Sequence, residues 1–291
     1  MIQIERINNL EVKPIKIKED NRPVKGGHIL GKSPFINIMQ VAPTNGGKTT
    51  VTNTILSHCV MPKKTIVVAF VPSIYNDENW IEIREKLIDM GNTVIVHTSI
   101  KDDDGNDLLK QYVKFLSDKA EADEQRRLEE KNCLRIPKRK DDKICLYMPT
   151  EEDVKRKERE PKCKYAKYIF IFDDISDELK LRSYVALMKK ARHYCILTIT
   201  SSQDAKDINP ATIKQMRLWL LFKGLDDERL LHIYSKLGVK LSFIDFKKLY
   251  DQATQDYFDQ DERKWYKHNF LYFDPRNVLF RRNFNDVLKL E

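Results

Sequence analysis

At 291 residues and a formal charge of +8, with a pI near 9.0, the chain has room for one large α/β domain with appendages or two small domains, and its basic balance suits work beside a polyanion. Five cysteines (Cys59, Cys133, Cys145, Cys163, Cys195) form no C-x-x-C pair, which argues against a structural zinc or a disulfide scaffold and for free thiols in a reducing compartment. No apolar run approaches the roughly 18 residues of a membrane span and residues 1–10 do not read as a signal peptide, so no membrane partner is expected.

Residues 1–34 mix Lys, Glu, Pro and Gly with short β-type stretches such as 12–17, and read as an extended arm. An apolar run, 35–41, then meets a loop of small residues and a helix-like pattern with Val51, Ile55 and Cys59 on one face. Set against G-x-x-x-x-G-K-[ST], Ala42 takes the first glycine position, Pro43, Thr44, Asn45 and Gly46 span the gap, and Gly47, Lys48 and Thr49 match; Thr50 follows. Such a loop turns its backbone N–H groups inward at the start of a helix, where the helix dipole also favours anions. Lys48 would reach the β- and γ-phosphates of ATP and the Thr49 hydroxyl would complete the coordination of Mg2+. A chance GGKTT in a turn is the competing reading, and the flanking strand and helix weigh against it.

Residues 63–71 form a continuous apolar run ending at Pro72, as expected of a strand buried on both faces of a parallel sheet. Residues 80–90 have helical spacing and 93–97 make a short strand. From about 101 to 164 the composition turns strongly charged, with a helix that can open at 102–116 and continue through 118–131, then the runs RIPKRKDDK and DVKRKEREPKCK. This stretch reads as a surface insertion; its basic clusters suit phosphate backbone, although a solvated face is the commoner meaning of such runs. Buried-type strands return at 168–173, 194–200 and 216–222, with helical patterns at 177–191, 225–238 and 242–255. Alternation of apolar and polar residues over 265–284, around Asp274-Pro275-Arg276-Asn277, predicts a terminal hairpin. The expected organisation is an arm (1–34), an ATPase core (35–256) and a hairpin extension (257–291).

Two aspartates close the strand YIFIFDDI. Asp173 is placed to hold Mg2+ through its water shell, and Asp174, one residue on and differently directed, to take a proton from the attacking water. A plain turn or helix cap is the alternative. Gln203 follows the next strand; in ATPases with an extra strand between the phosphate-loop and acidic strands, a polar residue there lies beside the γ-phosphate, and a carboxamide both donates and accepts. Arg192, just before that strand, is a candidate finger toward a neighbouring subunit's nucleotide, with Lys214 and Arg217 as the other candidates. As a helix C-terminal charge, Arg192 would instead serve the dipole.

Taken in order, APTNGGKTT, FVPSIYNDENW, IFIFDDISDEL, KKARHYCILTITSSQ and the following P-x-x-I-K-Q-M resemble the genome-packaging ATPases of large double-stranded DNA viruses. This is the poxvirus-type branch of the FtsK/HerA translocases, found also in virophages and Polinton-like elements. The resemblance covers 35–222 without the charged insertion. It implies a RecA-like P-loop NTPase fold, α/β with a mainly parallel central sheet covered by helices on both faces. It further implies ATP and Mg2+ as cofactors, a homo-oligomeric ring of five or six subunits, double-stranded DNA as track, capsid vertex proteins as partners, and a place in the host-cell cytoplasm or the virion. Two positions depart from the family pattern: Ala42 replaces the first glycine, and Lys214 stands near where the family tends to carry arginine. Two other classes compete. A small-molecule P-loop kinase would need a lid of arginines, for which Arg126, Arg127, Arg135 and Arg139 are available, and a nucleotide-binding structural component would never hydrolyse.

Overall fold

The computed structural model describes residues 20–133, 162–259 and 263–290. The predicted strand at 12–17 and most of the two charged runs lie outside these.

Six short apolar strands run parallel: β1 (Asn37–Val41), β2 (Ile66–Phe70), β3 (Thr93–His97), β4 (Tyr168–Asp173), β5 (Ile196–Ser202) and β6 (Leu218–Phe222). Between them come α2 (Lys48–Cys59), α3 (Glu78–Asp89), α4 (Leu108–Cys133), α5 (Arg182–Lys190) and the short α6 (Pro210–Ile213), while α1 (Gly27–Leu30) precedes β1. Helices α7 (Asp227–Leu237) and α8 (Phe243–Thr254) follow β6. A small hairpin, β7 (Tyr257–Asp259) and β8 (Lys264–Tyr266), leads into β9 (Phe270–Asp274), β10 (Leu279–Arg282) and β11 (Asp286–Leu288).

The main sheet has nine strands in the order β11-β10-β9-β6-β1-β5-β4-β2-β3. Every residue of β1, β4, β5 and β6 is buried, which explains why these strands read as unbroken apolar runs rather than alternating ones. Successive side chains serve opposite faces. Ile38 joins Val51, Ile55, Leu56 and Trp80 under α1–α3, and Met39 and Val41 join Phe172, Tyr184, Leu187 and Phe246 under α4, α5 and α8. Buried polar groups within the sheet are paired: the Asn37 amide donates to the carbonyls of Met188 (3.0 Å) and Gln215 (3.1 Å), and its oxygen accepts from the Thr198 hydroxyl (2.9 Å), which anchors the start of β1. Gln40 donates to Thr52 (2.9 Å) and so ties β1 to the helix beyond the loop.

Three features differ from the periodicity reading. The terminal hairpin is part of the central sheet: β9 pairs antiparallel with β6, and β11 adds a third strand. Leu109 and Leu116 at the start of α4 are buried in the main core, so the charged stretch begins later than its composition suggested. The helical pattern at 177–191 splits into a single turn, Ser176–Glu178, and α5, because the Glu178 carboxylate is drawn to the Ser99 hydroxyl (2.6 Å) and the Ile100 N–H (2.7 Å). No helix among the described residues is long and apolar enough to cross a membrane.

Candidate functional site

Parallel strands deliver their C-terminal ends to one edge of the sheet, and the residues marked by sequence sit there on three neighbouring strands. The loop from Ala42 to Gly47 leaves β1 and its backbone crosses into left-handed conformation twice, at Asn45 (φ 58°) and Gly47 (φ 94°). Gly47 takes that angle without steric cost. Gly46 is needed for closeness: a Cβ there would lie 3.0 Å from both the Ala42 methyl and the Pro43 carbonyl oxygen. Ala42 keeps a negative φ, so a methyl in place of the usual glycine hydrogen is accommodated. Because Gly47 stands at the N-cap with no side-chain capping bond, the first N–H groups of α2, from Lys48, Thr49 and Thr50, are left for an external acceptor. The Lys48 ammonium rests 3.4 Å from the Ala42 carbonyl, folded back over its own loop.

Strand β5 lies between β1 and β4. The Ala42 N–H donates to the Ser202 carbonyl (3.2 Å), which sets the root of the loop beside the tip that carries Gln203. On the other side Asp173 stands in register with Ser201. Asp173 is buried; its Oδ2 accepts from the indole N–H of Trp80 on α3 (3.1 Å), and its Oδ1 has no partner among the described residues. Burial pushes its pKa above the usual carboxylate value; the Lys48 charge and the Trp80 bond pull it back, and Asp174 adds a small upward push. The chain then turns sharply. Asp174 has φ 58°, is exposed, and lines a cavity of about 450 Å3 together with Gln203, Pro72 and Ser99. Two adjacent carboxylates thus occupy opposite environments, one dry and held by an indole, one wet and facing the amide tip.

No family model matches the chain. An uncharacterized protein, 075L, of Invertebrate iridescent virus 6 is 30% identical over 119 residues, which are 37% of this chain and 46% of that protein, so the match spans about half the length of this relative. Among solved structures, the crystal structure of B204, the DNA-packaging ATPase from Sulfolobus turreted icosahedral virus, superposes with a TM-score of 0.49 at 13% identity over 86% of this chain and 98% of its own. The genome-packaging NTPase B204 of Sulfolobus turreted icosahedral virus 2, in complex with ATP-gammaS, superposes with a TM-score of 0.45 at 13% identity, covering 86% and 97%.

The remaining sequence candidates lie elsewhere. Arg192 is exposed in the turn before β5, at the opposite edge of the sheet; seven strand residues separate it from Gln203, about 20 Å. It is not part of this chain's own site. Arg217, at the same far edge, is paired with Asp274 at 3.8 Å, and Lys214 is exposed after α6. Of the arginines available to a kinase lid, Arg126 and Arg127 pair with Asp123 and Glu124 along α4, while Arg135 and Arg139 fall outside the described residues. Sequence reading gave no role to Trp80, because an aromatic at helical spacing is indistinguishable from core until its N–H finds the acid.

That bond is testable without any assumption about activity. Trp80→Phe keeps the ring and removes the donor, leaving a buried carboxylate with neither oxygen paired, so stability is expected to fall by about 1–3 kcal/mol. Urea unfolding measures it; an unchanged midpoint would show that the indole contributes packing alone.

Proposed function

We propose that this chain binds ATP on the loop from Ala42 to Thr50, hydrolyses it, and works as one subunit of a homo-oligomeric ring that drives double-stranded DNA into a preformed capsid. The observation that carries this reading is the strand order. With β5 between β1 and β4, a loop ending in Lys48, an acidic tip and an amide tip adjoin on one edge, and Lys48 is near enough to Asp173 for its charge to act on that carboxyl.

In this reading the N–H groups of the loop and of Lys48 to Thr50 hold the phosphates, and Lys48 unfolds from Ala42 to meet the γ-phosphate. Mg2+ fits the donors present. The Thr49 hydroxyl and the unpartnered Asp173 Oδ1 are hard oxygens, and among the described residues no cluster of three His, Cys, Asp or Glu side chains forms a dedicated cage, as suits an ion shared with substrate phosphates. Bound there, Mg2+ would neutralise charge developing on the phosphates. Asp174, exposed on the cavity with Gln203, takes the proton of the attacking water, and the Gln203 amide spans water and phosphate. Arg192 stands on the far edge, where it serves as a finger only toward a neighbouring subunit's nucleotide. The basic surface grips DNA phosphates without reading bases.

The test uses the full chain: phosphate release from ATP with no phosphoryl acceptor, with and without duplex DNA, alongside mass measurement in the presence of nucleotide, and Lys48→Ala as the loop-dead control. Turnover stimulated severalfold by DNA, in an assembly larger than a monomer, is expected. A monomer under all conditions, or turnover indifferent to both DNA and Lys48, would sink the motor.

A further inference from the structure

On the β6 side of the phosphate loop lies a second cavity, about 820 Å3, for which the phosphate loop and acidic tip have no use. Its walls are the turn after β6, with Lys223 and Gly224, and the end of α8 with Gln255 and Asp256. It adjoins the loop directly: a Cβ on Gly224 would stand 3.3 Å from the Pro43 ring. One wall is locked, since the Tyr250 hydroxyl donates to the Phe222 carbonyl (2.7 Å) and accepts from the Leu225 N–H (2.9 Å). Asp256 has one oxygen committed, with Oδ2 accepting from Lys223 at 2.9 Å. Its Oδ1 is shielded from water and has no partner among the described residues. An acceptor in that condition lacks one donor.

We infer that this cleft receives the nucleoside of the triphosphate held by the loop, and that Asp256 Oδ1 accepts an N–H from the exocyclic amine of its base. The inference rests on the reading of Ala42 to Thr50 as a phosphate cradle. The volume falls within the roughly 300–1,000 Å3 of small-ligand pockets. Because Lys223 holds the other oxygen, the carboxylate offers a single acceptor, which matches the 6-amine of adenine. Guanine, with adjacent N1–H and 2-amino donors, would call for both oxygens.

Displacement of a fluorescent ATP analogue from the full chain tests this with three competitors: ATP, the triphosphate of purine riboside, which lacks the 6-amine, and inorganic tripolyphosphate. For the unaltered protein, ATP is expected to compete about tenfold better than purine riboside triphosphate, or more. Asp256→Ala is expected to erase that preference and leave tripolyphosphate competing as before. Equal competition by the two nucleoside triphosphates on the unaltered chain overturns the inference with no substitution needed. So does an Asp256→Ala loss shared equally by tripolyphosphate. Failure of the labelled analogue to bind the unaltered chain is a separate result, which removes the phosphate cradle and the cleft's role together.

Discussion

Asp174→Asn is expected to lower ATP turnover by about 10²–10⁴-fold, the usual contribution of a positioned general base, while ATP binding and the unfolding midpoint stay where they were. The separation between activity and stability follows from the backbone. Asp174 adopts φ 58°, a left-handed conformation that asparagine tolerates nearly as well as aspartate and that most residues do not. The side chain is exposed, so the amide leaves no buried group unpaired. What the amide cannot do is accept a proton. Asp174→Ala makes the contrast, because it loses the same base and also forces a Cβ-only residue into the left-handed region, at a cost of about 1–2 kcal/mol. Single-turnover phosphate release, nucleotide titration and thermal unfolding of both variants measure the three quantities. Unchanged turnover in the asparagine variant would remove Asp174 from the chemistry and return the second aspartate to the role of a turn residue.

The parallel half of the sheet was legible because its strands are buried on both faces, so that runs such as YIFIFD and the strand at 93–97 needed no alternation to be found. The position of the phosphate loop was equally open to reading, since a left-handed Gly47 and a Gly46 pressed against Ala42 are what the glycines are for. What stayed hidden depends on contacts between distant segments. Nothing in residues 265–284 says that their hairpin will pair with β6, because an amphipathic hairpin reads the same whether it joins a sheet or stands apart. Leu109, Tyr112 and Leu116 are too few to announce a core helix amid so many charges, yet at that spacing they share one face and cover the sheet beside β3 and β4. Trp80 and Asp173 are 93 positions apart, and their bond exists only because α3 and β4 fold onto one another. The cleft with Asp256 left no trace in the sequence; it comes from the meeting of the β6 turn with the end of α8.

Asp173→Asn is expected to act in two directions, lowering turnover by about 10–100-fold and raising the stability of the nucleotide-free protein by about 1 kcal/mol, or roughly 2–4 °C in midpoint. The loss follows from its proposed place in the water shell of Mg2+, where an amide holds metal-bound water less firmly than a carboxylate. The gain follows from burial. Asp173 lies in dry surroundings with one oxygen unpartnered, and burial raises its pKa despite the nearby Lys48 charge. Between the ordinary carboxylate value and that raised value the folded chain holds a proton the unfolded chain has released. Stability therefore declines as pH rises through this interval, and the full cost of the charged form is present above it. Asparagine keeps an acceptor for the Trp80 indole and carries no charge, so that slope disappears. Thermal unfolding of both proteins from acidic to neutral pH, with Mg2+ chelated, should give curves that converge at the acid end and separate upward with the asparagine variant higher. Saturating Mg2+ and a non-hydrolysable ATP analogue should then favour the native protein, because only it regains through the ion what burial of the charge costs. Curves that stay parallel at every pH would mean that the Asp173 carboxyl is paid for inside the fold by its neighbours, and that its conspicuous unpartnered oxygen is not waiting for a metal's water.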